Sequence, residues 1–117
     1  MTVTAVTRRP PGRVRVLEMP GACRRVLVVG GGPQAAWLVG ELSRTDHPIT
    51  VVAARICDDL LDMLVEHRYD WISHEPRPTD LQGVWLVHAA TGDDEQDARV
   101  CSWVDVARRR LALADAS

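Results

Sequence analysis

The chain has 117 residues, enough for one domain that buries roughly two thirds of its unfolded surface. Its formal net charge of −2 argues against a dedicated nucleic-acid binder. All 14 basic residues are arginine, and Lys, Asn and Phe are absent, a bias that fits a GC-rich coding sequence better than an anion pocket.

Cys23, Cys57 and Cys101 are far apart and odd in number. They have neither metal-ligand spacing nor a disulfide framework, so a reducing, cytoplasmic setting is expected. The N-terminus lacks the apolar core of a signal peptide. No apolar run approaches the roughly 20 residues that span a bilayer, so no membrane association is expected.

Residues 1–12 contain Thr, Arg and Pro-Pro without a hydrophobic period and read as a flexible tail; residues 13–117 form the domain. Arg13 to Met19 alternates like an edge strand or an extended arm, and Pro20-Gly21 breaks it. Arg25 to Val29 is a strand apolar on both faces, as a central parallel strand requires. Gln34 to Ser43 reads as a helix with Ala36, Val39 and Gly40 on its packed side. Ile49 to Val52 is a second strand. A helix starting at Asp58 or Asp59 follows, with Leu60, Leu61, Leu64 and Val65 as its apolar face.

Asp70 to Ser73 reads as a short strand and Thr79 to Leu81 as one helical turn. Val84 to Ala89 is the next strand. A helix from about Asp94 to Arg109 comes after it, opened by Asp93-x-x-Gln96 in capping-box spacing. Arg108, Arg109 and Arg110 suit its C-terminal end. Leu111 to Ala114 reads as the start of one more strand. This order predicts a Rossmann-like parallel sheet of about five strands, with helices on both faces.

The chemistry concentrates where the first parallel strand meets Gly30-Gly31-Gly32-Pro33-Gln34-Ala35. Gly30-x-Gly32-x-x-Ala35 occupies the dinucleotide fingerprint positions, with a strand before and a helix after. Gly30 turns the chain, Gly32 leaves room for a pyrophosphate, and Ala35 lets helix and strand pack closely. Pro33 suits the first helical position but removes one N–H that could meet a phosphate. The helix start offers free N–H groups and a positive dipole end. The plainer reading is a tight strand-to-helix turn with no ligand.

An NAD site commonly carries an acid at the end of the next strand; here the run is Val51-Val52-Ala53-Ala54-Arg55. Arg55 suits a 2′-phosphate, which favours NADP, or it is an ordinary solvated loop arginine. Ala90 and Thr91 lie at another strand end, where a cofactor could approach and Thr91 could donate to it. Asp93 or Asp94 fits a helix cap better than a ligand contact. His47, His67, His74 and His88 have no metal spacing, and no Ser-His-acid triad is recognisable. Trp37, Trp71, Trp85 and Trp103 read as core or interface residues.

Three segments together resemble the N-terminal domain of siroheme synthase and the stand-alone precorrin-2 dehydrogenases. They are Val28-Val29-Gly30-Gly31-Gly32-x-x-Ala35, Thr50-Val51-Val52-Ala53, and Asp80-Leu81-x-Gly83-x-Trp85-Leu86-Val87-x-Ala89-Ala90-Thr91. The resemblance covers about Val16 to Asp115. It implies NAD as cofactor, with NADP open, and oxidation of the tetrapyrrole precorrin-2 to sirohydrochlorin; some members also insert ferrous iron. It makes Ala53 ordinary, because the family lacks an acid there. It also implies that Asp115 takes the position of the family's catalytic carboxylate, which follows a strand.

The chain departs from the family's pattern in several places. Trp37-Leu38 stand where the family has Arg-Lys, Asp97 and Ala112 stand where it has Asn, and Gly92 follows Thr91. Family members also continue into dimerisation and helical regions that help form the tetrapyrrole site. The expectation is therefore a domain incomplete as an isolated chain, with a homodimer compatible with Trp103 and the N-terminal arm. The alternative is a non-catalytic nucleotide-binding or protein-interaction module that keeps the fold. An ordinary short-chain reductase is disfavoured, because Tyr69 is the only tyrosine and there is no lysine.

Overall fold

The computed structural model describes residues 13–16 and 25–116. The expected tail, the Pro20-Gly21 break and Cys23 lie outside the described residues. The elements in chain order are β1 (Arg13–Val16), β2 (Val26–Val29), α1 (Pro33–Leu42), β3 (Ile49–Val52), α2 (Asp58–His67) and β4 (Asp70–Ile72). A 3-10 turn (Pro78–Leu81), β5 (Leu86–Ala89) and α3 (Asp94–Ala116) complete them.

Five strands form one sheet in the order β1-β5-β2-β3-β4. β5, β2, β3 and β4 run parallel, and β1 pairs antiparallel with β5 in the register Arg13↔Ala89 to Val16↔Leu86. All residues of β2 and β3 are buried, because both faces of these central strands are covered. Val26, Val28, Ile49 and Val51 pack with Ala36, Leu38 and Val39 of α1 and Leu60 and Leu64 of α2. The alternate residues Leu27, Val29 and Val52 pack on the other face with Val87 and Ala89 of β5, Leu81, Val84, and Val100 and Val104 of α3. The period of two along the strands thus divides the core into two layers.

Four expectations change. No strand forms over Leu111 to Ala114, because α3 runs unbroken to Ala116. The run Leu-Ala-Leu-Ala consists of strong helix formers, with no β-branched residue, glycine or proline to end the helix. The fifth strand of the sheet is the antiparallel edge β1 instead. Arg108 to Arg110 are consequently mid-helix and complement no helix end. On α2 only Leu60 and Leu64 are buried, while Leu61 is 42% and Val65 71% exposed. The ten-residue helix turns one narrow stripe inward.

Strand order places the site. From β2 the chain moves to β3 and β4 on one side; it then returns past β2 to form β5 on the other. The connections leaving β2 and β5 cover opposite faces of the sheet. Their divergence opens a crevice at the C-terminal ends of these two neighbouring strands, where open α/β sheets bind ligands.

Candidate functional site: a cleft at the glycine turn

Gly30 continues the ladder by donating its N–H to the Val52 carbonyl at 3.1 Å. It then turns with φ of +137°, a conformation that side chains resist. A Cβ at Gly30 would overlap the Ala90 carbonyl oxygen, and one at Gly31 would overlap the Arg55 carbonyl oxygen. The Gly31 carbonyl accepts the Cys57 N–H at 2.7 Å, which ties the turn to the start of α2. Gly30 and Gly31 are therefore required by the close approach of three backbone segments.

Gly32 is different. Its φ is −97°, and a Cβ there would meet nothing within 4 Å. It caps α1 with no side chain, and its carbonyl accepts the Ala36 N–H at 3.0 Å. Pro33 takes the first helical position, as expected. The N–H groups of Gln34 and Ala35 then have no acceptor within the helix. Open space in front of free N–H groups at a positive helix end suits an anion.

A cleft of about 270 Å³ lies beside this turn. It is lined by Gly30, Gly31, Val52, Ala53, Ala54, Arg55, Glu75, Pro76, Thr91 and Gln96. Among the expected site residues, Gly30, Gly31, Ala53, Arg55 and Thr91 thus meet at one place. Ala35 and Ala90 are fully buried beneath it and shape the turn by their size. Pro33 is exposed and Gln34 half-buried at the helix start. Asp115 is not brought here: α3 begins at the cleft and carries the backbone of Asp115 roughly 30 Å along its axis. It stands in the last helical turn, not after a strand.

The β5 side of the cleft is held by side chains. The Thr91 hydroxyl donates to Asp97 Oδ1 at 2.7 Å, and the Thr91 N–H donates to the same oxygen at 3.0 Å. Asp97 is 2% exposed. The Thr91 hydroxyl also accepts the Asp93 N–H at 3.1 Å. Its proton is thus used inside the protein, which replaces the expectation that it serves a ligand. Asp93 caps α3, its Oδ1 accepting the Glu95 N–H at 3.0 Å. Gln96 turns to the cleft, so the expected box with Asp93 reduces to that cap.

Sequence reasoning missed Glu75, Pro76 and Gln96 in the cleft, and the role of Trp71. The Trp71 indole N–H donates to the Ala53 carbonyl at 2.9 Å while the residue is 40% exposed, so it fastens the end of β3. The parallel pairing Val51↔Trp71 is the signal that puts it there. Trp37 is also largely exposed, whereas Trp85 and Trp103 pack against the two core layers.

A second, wider cleft of about 400 Å³ lies at the opposite end of the sheet, lined by Ser43, Thr45, Asp46, His47, Pro48, His67, Arg68 and Tyr69. His67 stacks on Tyr69 there, and burial pushes the Tyr69 phenol up. This end faces the C-termini of α1 and α2, whose dipoles disfavour anions. Among the described residues no three His, Cys, Asp or Glu side chains are placed to hold a metal, and no helix is long and apolar enough to cross a membrane.

Residues 21–117 match the family described as "Putative NAD(P)-binding". The chain belongs to that family. Similar proteins include a siroheme synthase of Blochmanniella pennsylvanica, 42% identical over 72 residues that make up 62% of this chain and 15% of the relative. Siroheme synthase 1 of Cronobacter sakazakii is 33% identical over 92 residues, or 79% of this chain and 20% of the relative. Among solved structures, SirC, precorrin-2 dehydrogenase, superposes with a TM-score of 0.59 at 24% identity, covering 78% of this chain and 44% of that one. These relatives bear out the resemblance drawn from the glycine turn and the Asp80 to Thr91 segment. The chain spans a fifth or less of the curated relatives' length.

Proposed function

We propose that this chain is the nicotinamide-dinucleotide-binding domain of a precorrin-2 dehydrogenase-type protein in siroheme biosynthesis. The observation that carries the reading is the contrast within the glycine turn: Gly30 and Gly31 are closed by backbone, and Gly32 opens to space before free helical N–H groups. That is a cradle of the size and polarity of a pyrophosphate. When bound, the nicotinamide accepts a hydride. The protein's own residues orient it: the helix start holds the phosphates, Ala53 and Ala54 leave room at the end of β3, and the Thr91–Asp97 lock fixes the β5 loop. A cleft of about 270 Å³ is of a size to hold part of a dinucleotide.

The second reading is a nucleotide-binding module without redox chemistry. It is favoured by α3 running through the position where the family has a strand followed by its carboxylate. Titration of the full chain with NAD and NADP by calorimetry tests the shared claim, and the expected result is saturable binding of one site. Gly32→Asp is expected to abolish binding while leaving the fold as stable as before, because aspartate is a good helix cap yet repels a phosphate. Absence of binding to both dinucleotides overturns both readings. Precorrin-2 turnover by the chain overturns the second reading, and binding without turnover is the result both readings expect of the isolated chain.

A further inference from the structure

The cleft has a third side, built by neither the glycine turn nor the β5 loop. Glu75 and Pro76 line it from the segment between β4 and the 3-10 turn, together with Ala53, Ala54 and Arg55 at the end of β3. The run is His74-Glu75-Pro76-Arg77-Pro78. Proline fixes its own φ and holds the residue before it extended, so this strap is stiff. Arg77 is extended accordingly, with φ of −135° and ψ of 154°. Proline also has no N–H, which leaves Arg77 as the one backbone donor among residues 76–78.

That donor is taken by Asp80. The Arg77 N–H donates to Asp80 Oδ2 at 2.8 Å, and the Asp80 N–H donates back to the Arg77 carbonyl at 3.0 Å. The other carboxylate oxygen, Oδ1, lies 3.6 Å from His74 Nε2, an ion pair when the ring is protonated. His74 is tied down in turn. Its N–H donates to the Ile72 carbonyl at 3.1 Å, and its Nδ1 donates to the Glu75 carbonyl at 2.7 Å, since a carbonyl only accepts. The two oxygens of one carboxylate therefore bracket Glu75 and Pro76, one facing the residue before them and one bonded to the residue after. Leu81, next along the chain, is buried with Val100 and Val104 of α3, which anchors Asp80 to the core.

We propose that Asp80 is a positioning residue for the cofactor: by accepting the Arg77 N–H it holds the Glu75–Pro76 strap as the wall beside the adenosine half of the dinucleotide. The inference rests on the dinucleotide reading above. A pyrophosphate over the glycine turn sends the adenosine ribose to the end of β3, and the strap borders the cleft with that strand end. Asp80 is not among the residues lining the cleft, so its effect is carried by the strap. A wall fixed before the ligand arrives spares the cost of ordering it on binding.

Calorimetric titration of the full chain with NAD, and with ADP as the adenosine and phosphate part alone, tests it. Asp80→Ala is expected to weaken both by the same factor, about fivefold, the worth of one hydrogen bond, with the number of sites per chain unchanged. Asp80→Asn keeps an oxygen for the Arg77 N–H and offers its NH2 to Nε2 of the neutral ring, so affinity is expected to stay within about twofold of the unaltered chain. Unchanged affinity in Asp80→Ala overturns the proposal. So does a loss confined to NAD, which would put the strap beside the nicotinamide half. Equal losses in the two variants overturn it as well, because the charge facing His74 would then matter and the Arg77 bond would not. Deuterium exchange in the unaltered chain needs no substitution. The Arg77 amide is expected to exchange slowly without ligand and more slowly with NAD. Exchange as fast as in an unfolded peptide, or protection that NAD does not raise, overturns the proposal. In each of these cases the dinucleotide reading survives. Binding of neither nucleotide to the unaltered chain overturns both.

Discussion

The two loops that meet at the cleft are built in opposite ways. After β2 the chain is shaped by backbone approach: Gly30 fits under the Ala90 carbonyl, and Gly31 fits against the Arg55 carbonyl. After β5 the chain is shaped by side chains: Thr91, Asp93 and Asp97 bond to one another and to the backbone. The first loop depends on what is missing from Gly30 and Gly31, and the second on the oxygens supplied by half-buried Thr91 and buried Asp97. The same crevice therefore has one wall that tolerates no added atom and another that tolerates no lost acceptor.

The largest effects are expected at the first wall. Gly31→Ala and Gly30→Ala each force a Cβ into a carbonyl oxygen, and Gly30 adds a positive φ. Each should cost about 3 kcal/mol in urea unfolding, at the high end for overpacking and backbone strain. A cost below about 1 kcal/mol would show that the segments around the turn separate readily.

Next comes the second wall. Asp97→Ala removes the acceptor of the Thr91 N–H and hydroxyl at a site 2% exposed. The expected loss is about 1–3 kcal/mol, measured the same way. Asp97→Asn keeps an acceptor oxygen and should lose less. Equal losses in the two variants would mean that the charge, not the acceptor, holds Thr91. Trp71→Phe should cost about 1 kcal/mol or less, because the bond to Ala53 that it removes is partly exposed. Smallest of all, Gly32→Ala should change stability by about 0.5 kcal/mol or less, since its Cβ meets open space. A large effect there would place Gly32 with its two neighbours and remove the cradle.

The difference between the walls also governs what was legible in the sequence. The glycine turn could be read because its constraint is local: a strand, three small residues and a helix start lie within a dozen positions. Strands β2 and β3 could be read from continuous apolar runs. The Thr91–Asp97 lock could not, because a threonine after a strand is equally free to serve a ligand or a neighbouring helix, and only the fold decides. Glu75 reaches the cleft through the parallel pairing of β4 with β3, which no spacing along the chain announces. Leu111 to Ala114 misled in the other direction. Its alternation of leucine and alanine is too weak to separate strand from helix, and alanine propensity prevailed.

The most direct measurement is an amide chemical-shift map of the full chain with NAD added. Shifts are expected at Gly30, Gly31 and Gly32, at Ala54 and Arg55, and at Thr91, around the cleft where the two walls meet. The other end of the sheet, at Ser43 to Pro48 and His67 to Tyr69, should stay unchanged. Shifts confined to that far end, with none at the glycine turn, would contradict the dinucleotide assignment.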